Sequence, residues 1–177
     1  MIENKARIAA NGGTIATSVL IYMALHDDDA LRFSTKRLNT ITDTVLAYSE
    51  DINHSAEKFI LYRNRLDQCG IDFQLKYDFI RALMKGLKFS GKREHTGAEA
   101  GIEATYTLIL LAAHDVYGLG RTRLRRIQHR IKEYAWAIKD GAVHILEYMK
   151  CLACECGQKY QVLMNYEKEY GEIRIYG

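Results

Sequence analysis

The sequence predicts an all-α helical bundle, and three observations carry that prediction. The 177 residues contain no proline, so no helix interior is interrupted by a missing amide hydrogen. Apolar residues recur at spacings of three and four, as in Leu38, Ile41, Val45, Tyr48 and Ile52, which places each set on one helical face. The same pattern returns later in the chain, predicting two tandem repeats of about 65 residues.

The repeat is read from identities at fixed offsets. His26-Asp27 and His114-Asp115 stand 88 residues apart, and at that offset Gly13, Ala16, Thr17, Leu20, Ile21 and Ala24 match Gly101, Ala104, Thr105, Leu108, Ile109 and Ala112. Past the next loop the offset is 86. It pairs the first stripe with Leu124, Ile127, Ile131, Tyr134 and Ile138, then Ala56, Ile60, Tyr62 and Leu66 with Ala142, Leu146, Tyr148 and Leu152. An offset of 87 finally pairs Phe73, Gln74 and Phe79 with Tyr160, Gln161 and Tyr166. The copies span 13–79 and 101–166, giving a first repeat at 1–85, a linker at 86–100 and a second repeat at 101–177, integrated in one domain.

Each element follows from local signals. Ile15–Leu25 and Ala104–Ala113 are apolar nearly all round, as central, buried helices are. Ser34 and Thr35 are caps for the first amphipathic helix, and Gly118 and Gly120 punctuate the approach to the second. A third helix is expected from Ala56 to Gln68, closed by Gly70, with a counterpart from Ala142 to Glu155 closed by Gly157. A fourth runs from Gln74 to Met84 and ends at Gly86. Gly86–Gly97, basic and glycine-bearing, reads as a mobile linker, and Glu172–Tyr176 as a short strand or an extended end.

Composition narrows the setting. A hydrophobic fraction of 48% is enough for a real core. A net charge of +3 and a pI near 8.6 permit an anionic partner without resembling a nucleic-acid coat. Cys69, Cys151, Cys154 and Cys156 do not form the spread framework of a secreted domain. The apolar run Ile15–Leu25 is short and followed by Asp27, Asp28 and Asp29 rather than a cleavage site. The expectation is a cytoplasmic chain with no membrane partner, and a monomer, since paired internal copies mimic a symmetric dimer.

Charge concentrates in one place. Arg121, Arg123, Arg125, Arg126, Arg130 and Lys132 fall within twelve residues with no acid before Glu133. They flank the stripe at Leu124, Ile127 and Ile131, so the exposed arc is positive and carries repulsion between residues four apart. The equivalent helix of the first copy, beginning Lys36, Arg37, Asn39, Thr40, is nearly neutral. The preceding turn, Val116-Tyr117-Gly118-Leu119-Gly120-Arg121, resembles the helix-hairpin-helix element, whose Gly-hydrophobic-Gly turn leads into a basic helix. That resemblance implies phosphate binding by Gly118, Gly120 and Arg121. The physics agrees: unpaired amides and the helix dipole at an N-terminus favour an anion. The first copy has lost both glycines, reading Ala30-Leu31-Arg32-Phe33-Ser34, and a Gly-x-Gly between helices also serves as a plain tight turn.

A helix ending in His-Asp, a Gly-x-Gly turn and a basic helix also resemble small proteins of phages and prophages, in which Leu-His-Asp precedes Gly-x-Gly-x-x-Arg. The resemblance implies a mobile-element origin, and with it either nucleic-acid handling or inhibition of a host defence nuclease, as anti-CRISPR proteins do.

Three other constellations carry candidate chemistry. The duplicated His-Asp pairs invite comparison with metal-dependent HD phosphohydrolases. Asp51 and His54 could complete one set, but Ala137 stands where the second copy would need Asp51's equivalent. The simpler reading is a helix-end His favoured by the dipole and an Asp bonding loop amides. Cys151, Cys154 and Cys156 with His144 offer zinc donors, yet Cys156 points away from the other two on a regular helix. Tyr160 and Tyr166 align with Phe73 and Phe79 and are expected in the core. The reading is therefore a non-enzymatic nucleic-acid-binding protein without cofactor, metal or catalytic residues, using Gly118, Gly120, Arg121, Arg123, Arg125, Arg126, Arg130 and Lys132. The alternative is an inhibitor docking that face on an acidic or nucleic-acid-binding protein surface, and third comes an HD-type phosphohydrolase.

Overall fold

The computed structural model describes residues 2–175. Among them the chain is all-α, with eight helices: α1 (Ile2–Asp27), α2 (Thr35–His54), α3 (Ala56–Gln68), α4 (Phe73–Leu87), α5 (Lys92–Tyr117), α6 (Arg121–Lys139), α7 (Ile145–Cys156) and α8 (Gln161–Tyr170).

α1 and α5 form the central pair, and small residues let their backbones meet. A Cβ at Gly97 would fall on the carbonyl of Ala6, one at Gly101 on that of Ala10, and one at Gly13 on that of Ala98. The first two contacts advance together along both helices, so the two run parallel and bring their C-terminal ends to one end of the bundle. Above this small-residue crossing the apolar runs close the core, with Val19, Leu20, Ile21, Ala24 and Leu25 joining Ile109, Leu110, Leu111, Ala112 and Ala113 in one cluster. By length and composition α1 could cross a membrane over Asn4–Asp27, and 61% of its most apolar window is buried inside the bundle.

The other helices wrap this pair. α2 and α3 pack on α5, α6 and α7 pack on α1, and α4 lies along α6. The stripes predicted for α2 and α6 face inward, with Leu38, Ile41, Leu124, Ile127 and Ile131 fully buried. α3 has the expected bounds, whereas α7 starts three residues later than predicted, at Ile145, because Gly141 turns the chain with a positive φ and His144 caps the helix. Gly157 ends α7 in the left-handed conformation, as expected.

Three expectations are corrected. The linker placed at 86–100 is only four residues long: α4 continues through Gly86 to Leu87, Lys88 takes the left-handed cap, and α5 begins at Lys92. Gly97, read as a linker signal, is instead a close-approach residue of the central pair, together with Gly101. The short strand considered for Glu172–Tyr176 is not formed over residues 172–175; Tyr176 lies outside the described residues. This tail folds back on the helices, with Glu172 paired to Lys150 at 2.8 Å and the Ile173 amide donating to Glu167. Of the aromatic residues aligned as core, Phe79 is fully buried, but Tyr166 is 40% and Phe73 62% exposed.

Candidate functional site

Because α1 and α5 are parallel, the loops that follow them sit side by side, and the site is built from both. After α1, Asp28 organises the first turn. Its carboxylate accepts from the amides of Ala30 and Leu31 and its carbonyl from Leu31 and Arg32, which holds Arg32 at a positive φ of 39°. After α5, Gly118 takes φ 63° and donates its amide to the His114 carbonyl, ending the helix in a conformation that costs glycine little. Leu119 inserts into the core while Gly118 and Gly120 face open space.

Aromatic contacts tie the two turns together. Phe33 meets Tyr117 edge to face at 4.8 Å, and the Arg37 guanidinium lies 5.5 Å and 5.7 Å from those two rings. Tyr117 also donates its hydroxyl to the Arg37 carbonyl. The segment that follows α1, nearly neutral in its helix, thus brings exposed Arg32, Lys36 and Arg37 to the same end as the Gly-x-Gly turn. Sequence reasoning assigned no role to these three residues, because their proximity depends on the parallel pairing.

The two His-Asp pairs join elements across the bundle. His26 and His114 each hold a loop carbonyl through Nδ1, Phe33 and Leu119 respectively, both at 3.0 Å. A carbonyl only accepts, so both Nδ1 atoms carry the proton. Asp115 accepts from the Tyr48 hydroxyl of α2 at 2.5 Å and from Arg65 at 2.8 Å, while Asp27 accepts from the Tyr134 hydroxyl of α6 at 2.7 Å. Each Asp thus receives the tyrosine of the opposite amphipathic helix. Burial and the Asp115 carboxylate push the Tyr48 hydroxyl up to about 12, and burial with the Asp27 carboxylate likewise raises Tyr134.

His26 also meets Glu155 of α7 through Nε2 at 2.8 Å. Burial lowers its pKa, but the Phe33 carbonyl and the Glu155 carboxylate outweigh that and raise it overall. Donor atoms of His26, Asp27 and Glu155 lie within 4.8 Å of one another, close enough to hold a metal ion. In this geometry, however, Nε2 is engaged by Glu155 and Asp27 by Tyr134. Asp51 accepts from Tyr62 and His54 is exposed at the end of α2, and neither belongs to the cluster of His26, Asp27 and Glu155. Nor does His144 reach the cysteines as a cluster: it caps the start of α7, with Cys156 at the far end of the helix roughly 18 Å away at about 1.5 Å per residue.

The basic arc of α6 divides into bound and free charges. Arg126 is committed to the buried Asp28, with Nε at 2.5 Å and a second bond at 2.7 Å. Arg130 bonds Tyr134 beside Asp27 and Asp28. Arg125 donates to the Gly70 carbonyl at 3.1 Å and Arg121 lies across Gly70. The arc is therefore not uniformly free, as the spacing alone implied: acids at the end of α1, distant in sequence, neutralise one flank. Arg121, Arg123 and Arg125 are exposed around the N-terminus of α6 and Lys132 is half-buried further along it. That N-terminus has no side-chain cap and no acid in its first turn, leaving the amides of Arg121, Thr122 and Arg123 without acceptors among the described residues. The α2 N-terminus likewise has no side-chain cap bond at Ser34 and no acid in its first turn.

Compared with protein-family models, with curated proteins and with solved structures, the chain matches none.

Proposed function

We propose that the chain is a tandem duplication folded as an internal pseudo-dimer, and that it is a non-enzymatic protein that grips polyanions, nucleic acid above all, with the end where the two hairpins meet. The reciprocal Tyr48–Asp115 and Tyr134–Asp27 bonds and the matching His26 and His114 anchors support the duplication. One observation carries the binding: an uncapped helix N-terminus opens toward exposed Arg121, Arg123 and Arg125 beside a second basic turn with Arg32, Lys36 and Arg37. Gly120 supports this reading further. Its φ of −75° needs no glycine, and a Cβ there would touch nothing. What the glycine does is leave the amides of α6 uncovered for a phosphate. Such binding addresses the nucleic-acid backbone with little sequence preference.

Fluorescence anisotropy of labelled single- and double-stranded DNA and RNA, at low and near-physiological salt, tests the proposal. Affinity should fall steeply with salt, the slope shrinking by roughly 0.9 for each phosphate contact removed on duplex DNA. The informative variant is Gly120→Asp. Its carboxylate caps α6 and adds about 1 kcal/mol to stability while displacing the phosphate, so melting temperature should rise as affinity drops. No binding at low salt removes nucleic acid as the ligand and turns the same basic end toward an acidic protein surface.

A further inference from the structure

The two halves of the chain differ in how their last helix is packed. On the tandem-repeat reading, Leu75, Phe79 and Leu83 of α4 correspond to Val162, Tyr166 and Tyr170 of α8 at the offset of 87. The α4 residues are buried, at 8%, 0% and 0% exposure, where α4 lies along α6. Their α8 counterparts form the same i, i+4, i+8 stripe but stand 48%, 40% and 66% exposed. α8 reaches the rest of the fold mainly through the buried Leu163 and through Lys150, which pairs with Glu167 and Glu172 at 2.8 Å each and ties the helix to α7.

The surface that α8 would cover by analogy with α4 is also open. Along α2, opposite α1 and α5, a groove of about 380 Å³ is lined by Ser18, Tyr22, Val45, Leu46, Leu108 and Tyr160 among others. Leu46 is 58% exposed, and the Tyr160 hydroxyl is enclosed without a hydrogen-bond partner. The groove is built for larger occupants than its counterpart. Ser18 stands where the other half has Tyr106, which packs on Phe79, and Thr42 where it has Gln128. The α8 stripe compensates, since Tyr166 and Tyr170 replace Phe79 and Leu83. Ser18 and Thr42 in the groove are smaller than their counterparts while Tyr166 and Tyr170 on the stripe are larger than theirs, as complementary surfaces require.

We propose that the α8 stripe of one molecule fills the α2 groove of a second copy of this chain, reciprocally, in a two-fold dimer. The occupant is a second copy because α8 is tied to α7 by Lys150 and anchored in the core by Leu163, while stripe and groove are both presented on one molecule. Two self-complementary patches of this kind close into an isologous pair. In the dimer Tyr166 takes the place that Phe79 takes where α4 lies along α6.

Sedimentation equilibrium of the full-length chain, across micromolar concentrations, reads the association directly. Wild type should dimerise. Leu46→Lys, which spoils the groove, and Tyr166→Glu, which spoils the stripe, should each weaken the dimer about tenfold or more. Both residues are exposed, so circular dichroism should show each variant folded. Mixed together, the two variants should restore a heterodimer. One of its two contacts joins an intact stripe to an intact groove, and in the other the introduced ammonium faces the introduced carboxylate. A wild type that stays monomeric, as it would if its own α8 closed the groove, overturns the proposal. So does a dimer indifferent to both substitutions.

Discussion

At the scale of single residues, the two glycines at 97 and 101 show how one atom can decide an architecture. A side chain at Gly101 would collide with the Ala10 carbonyl, whereas a Cβ at Gly12, in the same crossing region, meets nothing within 4 Å. Gly101→Val should therefore cost about 1–3 kcal/mol through overpacking. Gly12→Ala should leave stability unchanged or raise it by roughly 0.5–1 kcal/mol through helix propensity. Thermal denaturation of both variants checks the sign at each position. Asp28 is the second decisive residue: 1% exposed, it holds two loop amides and the Arg126 guanidinium. Asp28→Ala should cost roughly 1–3 kcal/mol, below the range for a fully buried pair because the Arg126 side chain is 45% exposed. Urea denaturation measures it.

Among the elements, α7 is latched to α1 by His26 and Glu155, and the latch titrates. The folded pKa of His26 is raised above its ordinary 6.5, so the charged form is the one the fold favours. Its stabilisation is complete below the ordinary pKa and is lost as pH rises through the raised one. His26→Asn, which keeps a donor for the Phe33 carbonyl, should lower the melting temperature at about pH 6 and have much less effect near pH 8.5. Equal destabilisation at both values would show that the charge pair contributes nothing. The α6 helix illustrates how tertiary contacts reassign a charged face. Its stripe and its basic character were legible from spacing. Which arginines remain free was not, because Asp28 and Gly70 approach from elements 98 and 55 residues away in sequence.

Across the whole molecule, one core cluster draws residues from both halves, with α1 and α5 sharing its centre. Neither half can bury its apolar face alone. Fragments 1–91 and 92–177 should each lack a cooperative thermal transition, while the full chain unfolds in a single one, as circular dichroism on the three samples would show. A fragment that melts cooperatively by itself would mean two domains rather than one.

Seven of the eight helices and the amphipathic stripes were legible because they depend on local spacing, on glycine's tolerance of positive φ and on the absence of proline, whereas α8 and the long N-terminal extensions of α1 and α5 were not. The Gly118–Arg121 turn was legible for the same reason, as was the place of each His-Asp pair at a helix end. What those pairs contact was not: Asp115 and Asp27 accept the hydroxyls of Tyr48 and Tyr134, which arrive from other helices. Nor could composition distinguish a glycine of a flexible linker from one at a helix crossing, since both are chosen for lacking a side chain. Local spacing settles the helices and where their polar and apolar faces fall. Long-range packing settles the rest: that α1 and α5 run parallel, that both basic turns share one end, and that α4 is buried while α8 stands exposed. Those outcomes depend on which backbones can approach each other and which charges meet, and such contacts lie between residues that no local pattern links.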